Sequence, residues 1–253
     1  VLGDLRLAQR QPPDAEANGA QAQGRGLPPD LVGDLACAAP ARMRPAGAAG
    51  HVAHDALHLL QRLAEGSVGA YFRQDVQGIV DRLLGEQLPD GGWNCEAVNG
   101  STRSSFNTTI CVLEALLEHE RAGGGIPEVT EARLRGQEYL LERRLFRRRS
   151  TGEVIDRDRK GGAAWTRFAF PTWWHYDVLR GLEYLRSAGV KSDERVAEAI
   201  DLLASKQGDD GRWLLETQYP GVMPVEMDEG EGRPSRWITL RALRVLKWYS
   251  ARG

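Results

Sequence analysis

Residues 87–96 read QLPDGGWNCE, and residues 207–216 read QGDDGRWLLE in the same register. In both copies an apolar segment leads into a Gln, a turn and then a Trp. Gly after Asp indicates a turn, because glycine adopts positive φ without steric cost. A buried Trp needs a partner for its indole N–H. We therefore predict that Trp93 and Trp213 are buried structural anchors, and that each turn braces the end of one helix against a neighbouring helix.

Helices and loops alternate around these two turns. Apolar periodicity predicts six helices after residue 70, which cover about 75–87, 105–122, 129–147, 171–189, 193–206 and 237–248. Three of them contain a Leu-x-x-Leu pattern, which begins at Leu113, Leu179 and Leu240. They alternate with the other three, so the repeating unit is a helical hairpin of about 60 residues. The middle hairpin lacks the QLPDGGW-type turn and reads ERRL at residues 142–145 instead.

The Q-x-x-D-G-x-W pattern after a helix resembles the QW motif of the squalene–hopene cyclase and prenyltransferase-repeat superfamily. The resemblance covers roughly residues 71–253. It implies an all-α fold, an α/α-toroid-like array of helical hairpins in which the Leu-x-x-Leu helices form the inner set. Three hairpins, or four if residues 51–65 join them, are fewer than a closed toroid of that family contains, so we expect an incomplete ring. Its exposed apolar flank predicts self-association.

The resemblance also implies a site, because the cavity of that family lies under the loops that precede the inner helices. The matching positions predict two catalytic residues, His175 and Asp177, which offer acid–base groups. They also predict a set of ligand-binding residues, namely Arg103, Asn107, Trp173, Trp174, Tyr176, Arg236 and Trp237. Aromatic walls suit a polyprenyl chain, and their π-faces can stabilise a carbocation. The alternative is that these aromatic side chains simply seal one end of a helical core.

The catalytic signatures of the family are missing from the chain. Residues 156–159 read DRDR, which has only two of the three acids of the D-x-D-D motif of class II terpene cyclases. No D-D-x-x-D metal motif occurs, and neither Cys95 nor Cys111 belongs to the D-x-C zinc motif of protein prenyltransferases. We therefore predict no cofactor and no metal, and leave catalysis open.

Three functions are consistent with these sequence features. The first is a terpenoid-cyclase/prenyltransferase-like protein that binds an apolar or isoprenoid ligand. The second is a non-catalytic helical scaffold for a protein partner, since helical arrays present such surfaces. The third is a carbohydrate-active α/α-barrel enzyme, which would need two carboxylates across the cavity. Glu96 and Asp177 are the pair that the sequence offers for it.

Composition narrows the class of protein and its environment. The 253 residues carry a formal net charge of −2 with a pI of about 6.3, which argues against a nucleic-acid binder. Three cysteines without a C-x-x-C pair predict a reducing, cytoplasmic location. No run of residues has the length and apolar character of a transmembrane segment, and no signal peptide is recognisable.

The domain organisation follows from a shift in composition near residue 50. Residues 1–50 are rich in Ala, Gly, Pro and Arg and contain no aromatic residue, so we predict a disordered or linker-like segment there. Residues 51–253 form the predicted repeat domain. Its first helix, 51–65, carries His51, His54 and His58, which could converge on a metal ion. We interpret them instead as a solvated helix face, because no second ligand cluster accompanies them.

Residues 143–149 read RRLFRRR at the end of the third predicted helix. One interpretation is a clamp for phosphate or diphosphate. The other, which we prefer at this stage, is the solvated end of an outer helix whose arginines pair with Glu138 and Glu142.

Overall fold

Helices dominate the part of the chain that the computed structural model describes, residues 76–155, 164–191, 193–220, 227 and 230–251. Within these ranges there are six α-helices, α1 (Gln77–Gly85), α2 (Phe106–His119), α3 (Pro127–Leu141), α4 (Val178–Ser187), α5 (Ala197–Ser205) and α6 (Arg236–Ser250). Two short strands, β1 (Trp213–Leu214) and β2 (Pro234–Ser235), pair antiparallel. The mainly-α class is confirmed. The predicted boundary at residue 50 and the three histidines lie outside the described residues.

Local sequence explains where α2, α4 and α6 begin. Ser105 accepts a hydrogen bond from the backbone N–H of the third residue of α2, and Ser235 does the same at α6. Asp177 caps α4 in the same way. Side-chain oxygens at this position satisfy N–H groups that have no partner within the helix, which typically stabilises a protein by about 1 kcal/mol. Pro127 opens α3, where its missing N–H costs nothing.

The helices pack in two sets around one apolar core. Helix α4 contacts both α2 and α6, while α3 packs against α1 and α2, and α5 packs against α4 and α6. The centre is filled by side chains without solvent exposure, such as Ile110 and Leu113 of α2, Leu182 and Leu185 of α4, and Val245 of α6. Helices α2, α4 and α6 thus contact one another in series, with α3 and α5 packed beside them. Closure of the helices into a toroid stays a prediction.

We call residues 87–93 and 207–213 the QW turns. The two turns repeat one another in their hydrogen bonds. The indole N–H of Trp93 donates to the Leu83 carbonyl at 2.7 Å, and that of Trp213 donates to the Leu203 carbonyl at 2.8 Å. The backbone N–H of each Trp donates to a threonine hydroxyl in the first turn of the following helix, Thr109 or Thr239. Both indoles are almost fully buried, at 2% and 0% exposure. The prediction that both residues are buried is confirmed, and their role as anchors stays a prediction.

The first QW turn also braces a neighbouring helix, as predicted. The Gln87 amide donates to the carbonyl of Gly91 in its own turn and to the carbonyl of Ala132 in α3, at 2.7 and 2.8 Å. Helix α3 comes so close to the Trp93 ring that a Cβ on Gly136 would lie 2.5 Å from it. Glycine at this position is therefore required by packing rather than by backbone conformation.

Helix α4 begins later than the sequence predicts. Pro171 does not open it: the Phe170–Pro171 peptide bond is cis, and Trp173 has φ +49°. The helix starts only after Asp177, which has extended backbone and provides the cap. Trp173 and Trp174 therefore lie in an irregular segment ahead of α4 instead of in its first turn. The prediction that Pro171 opens the helix is wrong, because a proline fits a turn as well as a helix start.

Two further expectations about helices are wrong. Helix α3 ends at Leu141 rather than near residue 147, so the arginines of residues 143–149 lie beyond it; Glu142 pairs with Arg143 and Arg149 as predicted, whereas Glu138 pairs with Arg195. In α6 the Leu-x-x-Leu residues do not face the core. Leu240 and Leu243 are 40% and 49% exposed, whereas their predicted counterparts in α2 and α4 are buried. Among the described helices, none combines the length and the apolar composition needed to cross a membrane.

Candidate functional site

Most of the predicted site residues do come together, ahead of α4 and near the start of α6. The His175 ring stacks between the rings of Trp174 and Tyr219, with centroid distances of 3.7 and 3.6 Å. The Trp237 ring stacks on Phe170, with 5.2 Å between centroids. Much of the aromatic surface is thus covered by other aromatic rings. This packing agrees with the alternative in which the cluster seals the core.

Tyr176 and Asn107 hold the segment ahead of α4 in place. The backbone N–H of Tyr176 donates to the Asn107 side-chain oxygen at 2.8 Å, and its phenolic O–H donates to the Leu145 carbonyl at 2.8 Å. The ring is buried, and this burial raises the pKa of Tyr176 well above its usual value. Both side chains are therefore used for internal bonds in this structure.

Asp177 is buried and serves as a helix cap. One carboxylate oxygen accepts the Arg180 N–H at 2.7 Å, and the other accepts the Ala169 N–H at 3.0 Å. Burial raises the pKa of Asp177 above its ordinary value, although the cationic side chain of Arg241 and these N–H groups act in the opposite direction. The catalytic roles of His175 and Asp177 stay predictions. Because both Asp177 oxygens are engaged by backbone groups, the carbohydrate interpretation loses support.

Trp173 is the unusual member of the cluster. Its indole Nε1 is buried and has no hydrogen-bond partner among the described residues. Its backbone lies in the left-handed region, with φ +49°, which a bulky residue adopts only when its surroundings impose it. An indole N–H without an acceptor loses the free energy of a hydrogen bond to water. Trp173 is therefore the place in this cluster where an acceptor atom from a ligand would be stabilised.

Arg180, which the sequence did not single out, organises the whole segment. Its guanidinium forms a bidentate pair with Glu114 of α2, at 2.9 and 2.6 Å. It also donates to the carbonyls of Trp173 and His175 at 2.9 and 2.7 Å. Such charge-assisted bonds are among the stronger ones in proteins. The shared Leu-Arg-x-Leu of α4 and α6 was a signal for it, since Arg241 pairs with Glu183 in the same manner.

The remaining predicted residues lie at the surface. Arg103 and Arg236 are exposed, and neither forms an ion pair with a described residue. Cys111 is half-buried beside Arg180, and desolvation raises the pKa of its thiol. Within the described ranges, no group of three or more His, Cys, Asp or Glu side chains could hold a metal ion.

Neither of two clefts on the described part of the molecule is lined by the aromatic cluster. The smaller cleft, about 210 Å³, lies between α2 and α4 and is lined mainly by charged side chains such as Glu118, Glu183 and Arg186. The larger, about 590 Å³, follows α3 and is lined by four arginines with Glu142, Glu198 and Gly152. Both linings suit polar ligands rather than a polyprenyl chain.

The outward face of α6 is apolar and basic. Leu240 and Leu243 are exposed there, and Arg236, Arg244 and Lys247 are exposed at neighbouring helical positions. Residues three, four and seven apart lie on one side of a helix, so these five side chains form one face. None of the three cations forms an ion pair with a described residue. We call this surface the α6 face.

Comparison with protein-family models, with curated proteins and with solved structures finds no match to this chain.

Proposed function

We propose that this protein is a helical-repeat module that binds an acidic amphipathic helix of a protein partner along the α6 face. The observation that carries the proposal is the exposure of Leu240 and Leu243, at 40% and 49%, beside three cations without an ion-pair partner among the described residues. Burying the two leucines would remove apolar surface from water, which stabilises a complex by about 25 cal/mol per Å² of buried area. Cations around an apolar strip favour a partner with carboxylates around its own strip.

The way in which the helices of this array join each other supports the same partner. Arg180 of α4 pairs back to Glu114 of α2, and Glu183, three residues further along α4, pairs forward to Arg241 of α6. Each junction thus joins an arginine of the later helix to a glutamate of the earlier one. No described helix follows α6 to continue this pairing.

Arg244 lies three residues after Arg241, where α4 has its glutamate. A further helix of the same kind would bring an arginine against Arg244, and like charges in contact are unfavourable. A helix that brings glutamates would instead restore the pairing. This favours an acidic partner helix over another helix with an arginine at this position, as in α4 and α6.

A labelled synthetic peptide tests the proposal. The probe is a helical peptide with leucines along one stripe and glutamates on both sides, and its counterpart has lysines in place of the glutamates. We expect saturable binding of the acidic peptide by fluorescence anisotropy, weaker binding at higher salt, and no binding of the basic peptide. Leu243→Asp and Arg244→Glu should each reduce the affinity at least tenfold.

Leu134→Asp is the matched control, because Leu134 is equally exposed, at 47%, but lies on α3. It should bind the acidic peptide as the unchanged protein does. Equal binding of both peptides, or equal loss in the control, would contradict the proposal. Concentration-dependent dimerisation in sedimentation velocity that Leu243→Asp abolishes would identify a second copy as the occupant.

Trp173 supports a second candidate, an isoprenoid-type ligand with a polar head beside the aromatic cluster. The buried indole Nε1 lacks an acceptor among the described residues, and the stacked rings of Trp174 and His175 follow it directly in the chain. Quenching of Trp fluorescence by a farnesyl diphosphate analogue tests this. Saturable quenching that is lost in Trp173→Phe, which keeps an aromatic ring but removes the N–H, would support it.

Trp248→Phe is the control for that experiment, because the Trp248 N–H already donates to the Val190 carbonyl at 3.0 Å. It should leave the affinity unchanged. The absence of saturable quenching in the intact, folded protein would leave protein binding as the function that the geometry favours.

A further inference from the structure

The turn that follows α3 replaces the QW turn in the middle hairpin, and its backbone is strained. Arg144 and Leu145 have φ +45° and +70°, in the left-handed region that glycine normally occupies. A non-glycine residue there costs of the order of 1 kcal/mol or more and persists only where the surroundings over-determine it. Such residues concentrate at binding and catalytic sites.

Buried contacts impose this conformation. Leu145 is fully buried, and its carbonyl accepts the Tyr176 O–H at 2.8 Å. Phe146 is buried as well, so the chain directs two consecutive side chains into the core between flanking arginines. Arg147 then pairs with Val154 in a β-bridge, and the backbone N–H of Arg148 donates to the Glu153 carbonyl at 2.8 Å. The arginines are therefore presented from an ordered turn.

Four of these arginines line the larger cleft, which measures about 590 Å³. Arg147 forms a bidentate pair with Glu198 of α5, with Nε–Oε2 at 2.7 Å, and this pairing lowers the pKa of Glu198. Arg149 pairs with Glu142 at 3.3 Å. Arg144 and Arg148 form no ion pair with a described residue.

The charges of the cleft do not balance within the described residues. Glu142 and Glu198 offset two of the four guanidinium groups, and the other two lie in the same cleft. Guanidinium groups bind phosphate oxygens bidentately, through a planar fork of N–H donors that is charged at all relevant pH values. An anion with two or more charges on phosphate oxygens would offset the excess. A single monoanion would not.

We propose that this cleft binds a diphosphate group through Arg144 and Arg148, with Arg147 fixed beside them by Glu198. The ligand class is a small molecule with a free diphosphate end. The turn that replaces the QW turn thus has a recognition role in place of the structural one, and the buried contacts of Leu145 and Phe146 fix the backbone that carries the arginines before the ligand arrives. Preorganisation of this kind lowers the entropic cost of binding.

Isothermal titration of the full chain with inorganic pyrophosphate at low ionic strength tests the proposal. We expect one saturable site, with weaker binding of orthophosphate and a loss of affinity as salt is added. Arg148→Ala should weaken the binding of pyrophosphate about tenfold, because it removes a charge-assisted hydrogen bond. Arg144→Gly should do the same without disturbing the turn, since glycine adopts the observed φ without strain.

Arg233→Ala is the matched control, because Arg233 is an exposed arginine without an ion pair to a described residue and does not line the cleft. It should leave the affinity for pyrophosphate unchanged. Parallel titrations with ADP and with farnesyl diphosphate then distinguish a nucleotide from an isoprenoid as the source of the diphosphate. Equal weakening by Arg233→Ala and Arg148→Ala, or no saturable binding by the folded protein, would overturn the proposal.

Discussion

Replacing Trp213 by alanine should remove one of the two anchors of the array. The indole is fully buried, its N–H donates to the Leu203 carbonyl at 2.8 Å, and the residue pairs with Ser235 in the small sheet. Truncating a buried Trp to Ala typically costs about 3–5 kcal/mol. Of this, the lost hydrogen bond accounts for about 1 kcal/mol. For a domain of this size the melting temperature should fall by about 10 °C.

Urea unfolding followed by far-UV circular dichroism measures this loss, and two further variants divide it. Trp213→Phe keeps most of the ring and removes the N–H, so it should cost clearly less than the alanine variant. Leu214→Ala changes the adjacent residue, which is 46% exposed, and should alter the free energy of unfolding by no more than about 0.5 kcal/mol. A loss below about 1 kcal/mol in Trp213→Ala would refute the anchoring role.

Three other changes test the packing and the buried groups. Gly136→Ala should lower the free energy of unfolding by about 1–3 kcal/mol, because its Cβ would lie 2.5 Å from the Trp93 ring; unchanged stability in urea would show that α3 can move away. The raised pKa of Asp177 means that its protonated form is favoured on folding, so its contribution to stability is present below its unfolded pKa and is lost as pH rises through the folded value. The free energy of unfolding of the unchanged protein minus that of Asp177→Asn should therefore fall from pH 3.5 to pH 7. A rise over that range would contradict the raised pKa of Asp177. Desolvation raises the pKa of the half-buried Cys111, so iodoacetamide should modify it more slowly than Cys95 in the folded protein, and equal rates by mass spectrometry would argue against the raised pKa.

The sequence predicted those features that depend on short-range signals. The two QW turns carry their own turn residues and a Trp ten residues from the carbonyl that each indole binds, so local pattern was sufficient. The helical class and the alternation of two helix sets followed from apolar periodicity. Ser105 lies directly before α2, where a cap is expected.

Features that depend on distant contacts were missed. The start of α4 is set by the Asp177 cap and by the bonds from Arg180 to the carbonyls of Trp173 and His175, and a Pro signal alone could not reveal them. The exposure of Leu240 was missed because the periodicity of α6 shows an apolar stripe but not what covers it. The candidate site was found only in part: its residues do meet, but Arg180, which holds them, was not recognised.

The absence of a QW turn after α3 also affects how the protein opens locally. At the ends of α1 and α5 an indole N–H holds a carbonyl of the last helical turn, so those backbone amides should be protected from exchange with deuterated water. The turn after α3 has no indole clamp from its own segment; the Leu145 carbonyl is held by Tyr176, which lies ahead of α4, and the turn stores backbone strain at Arg144 and Leu145. Residues 142–153 should therefore exchange their amide hydrogens earlier than the two QW turns, as a separate cooperative unit. Pyrophosphate in the cleft should slow that exchange and leave the rates at α1 and α5 as they were.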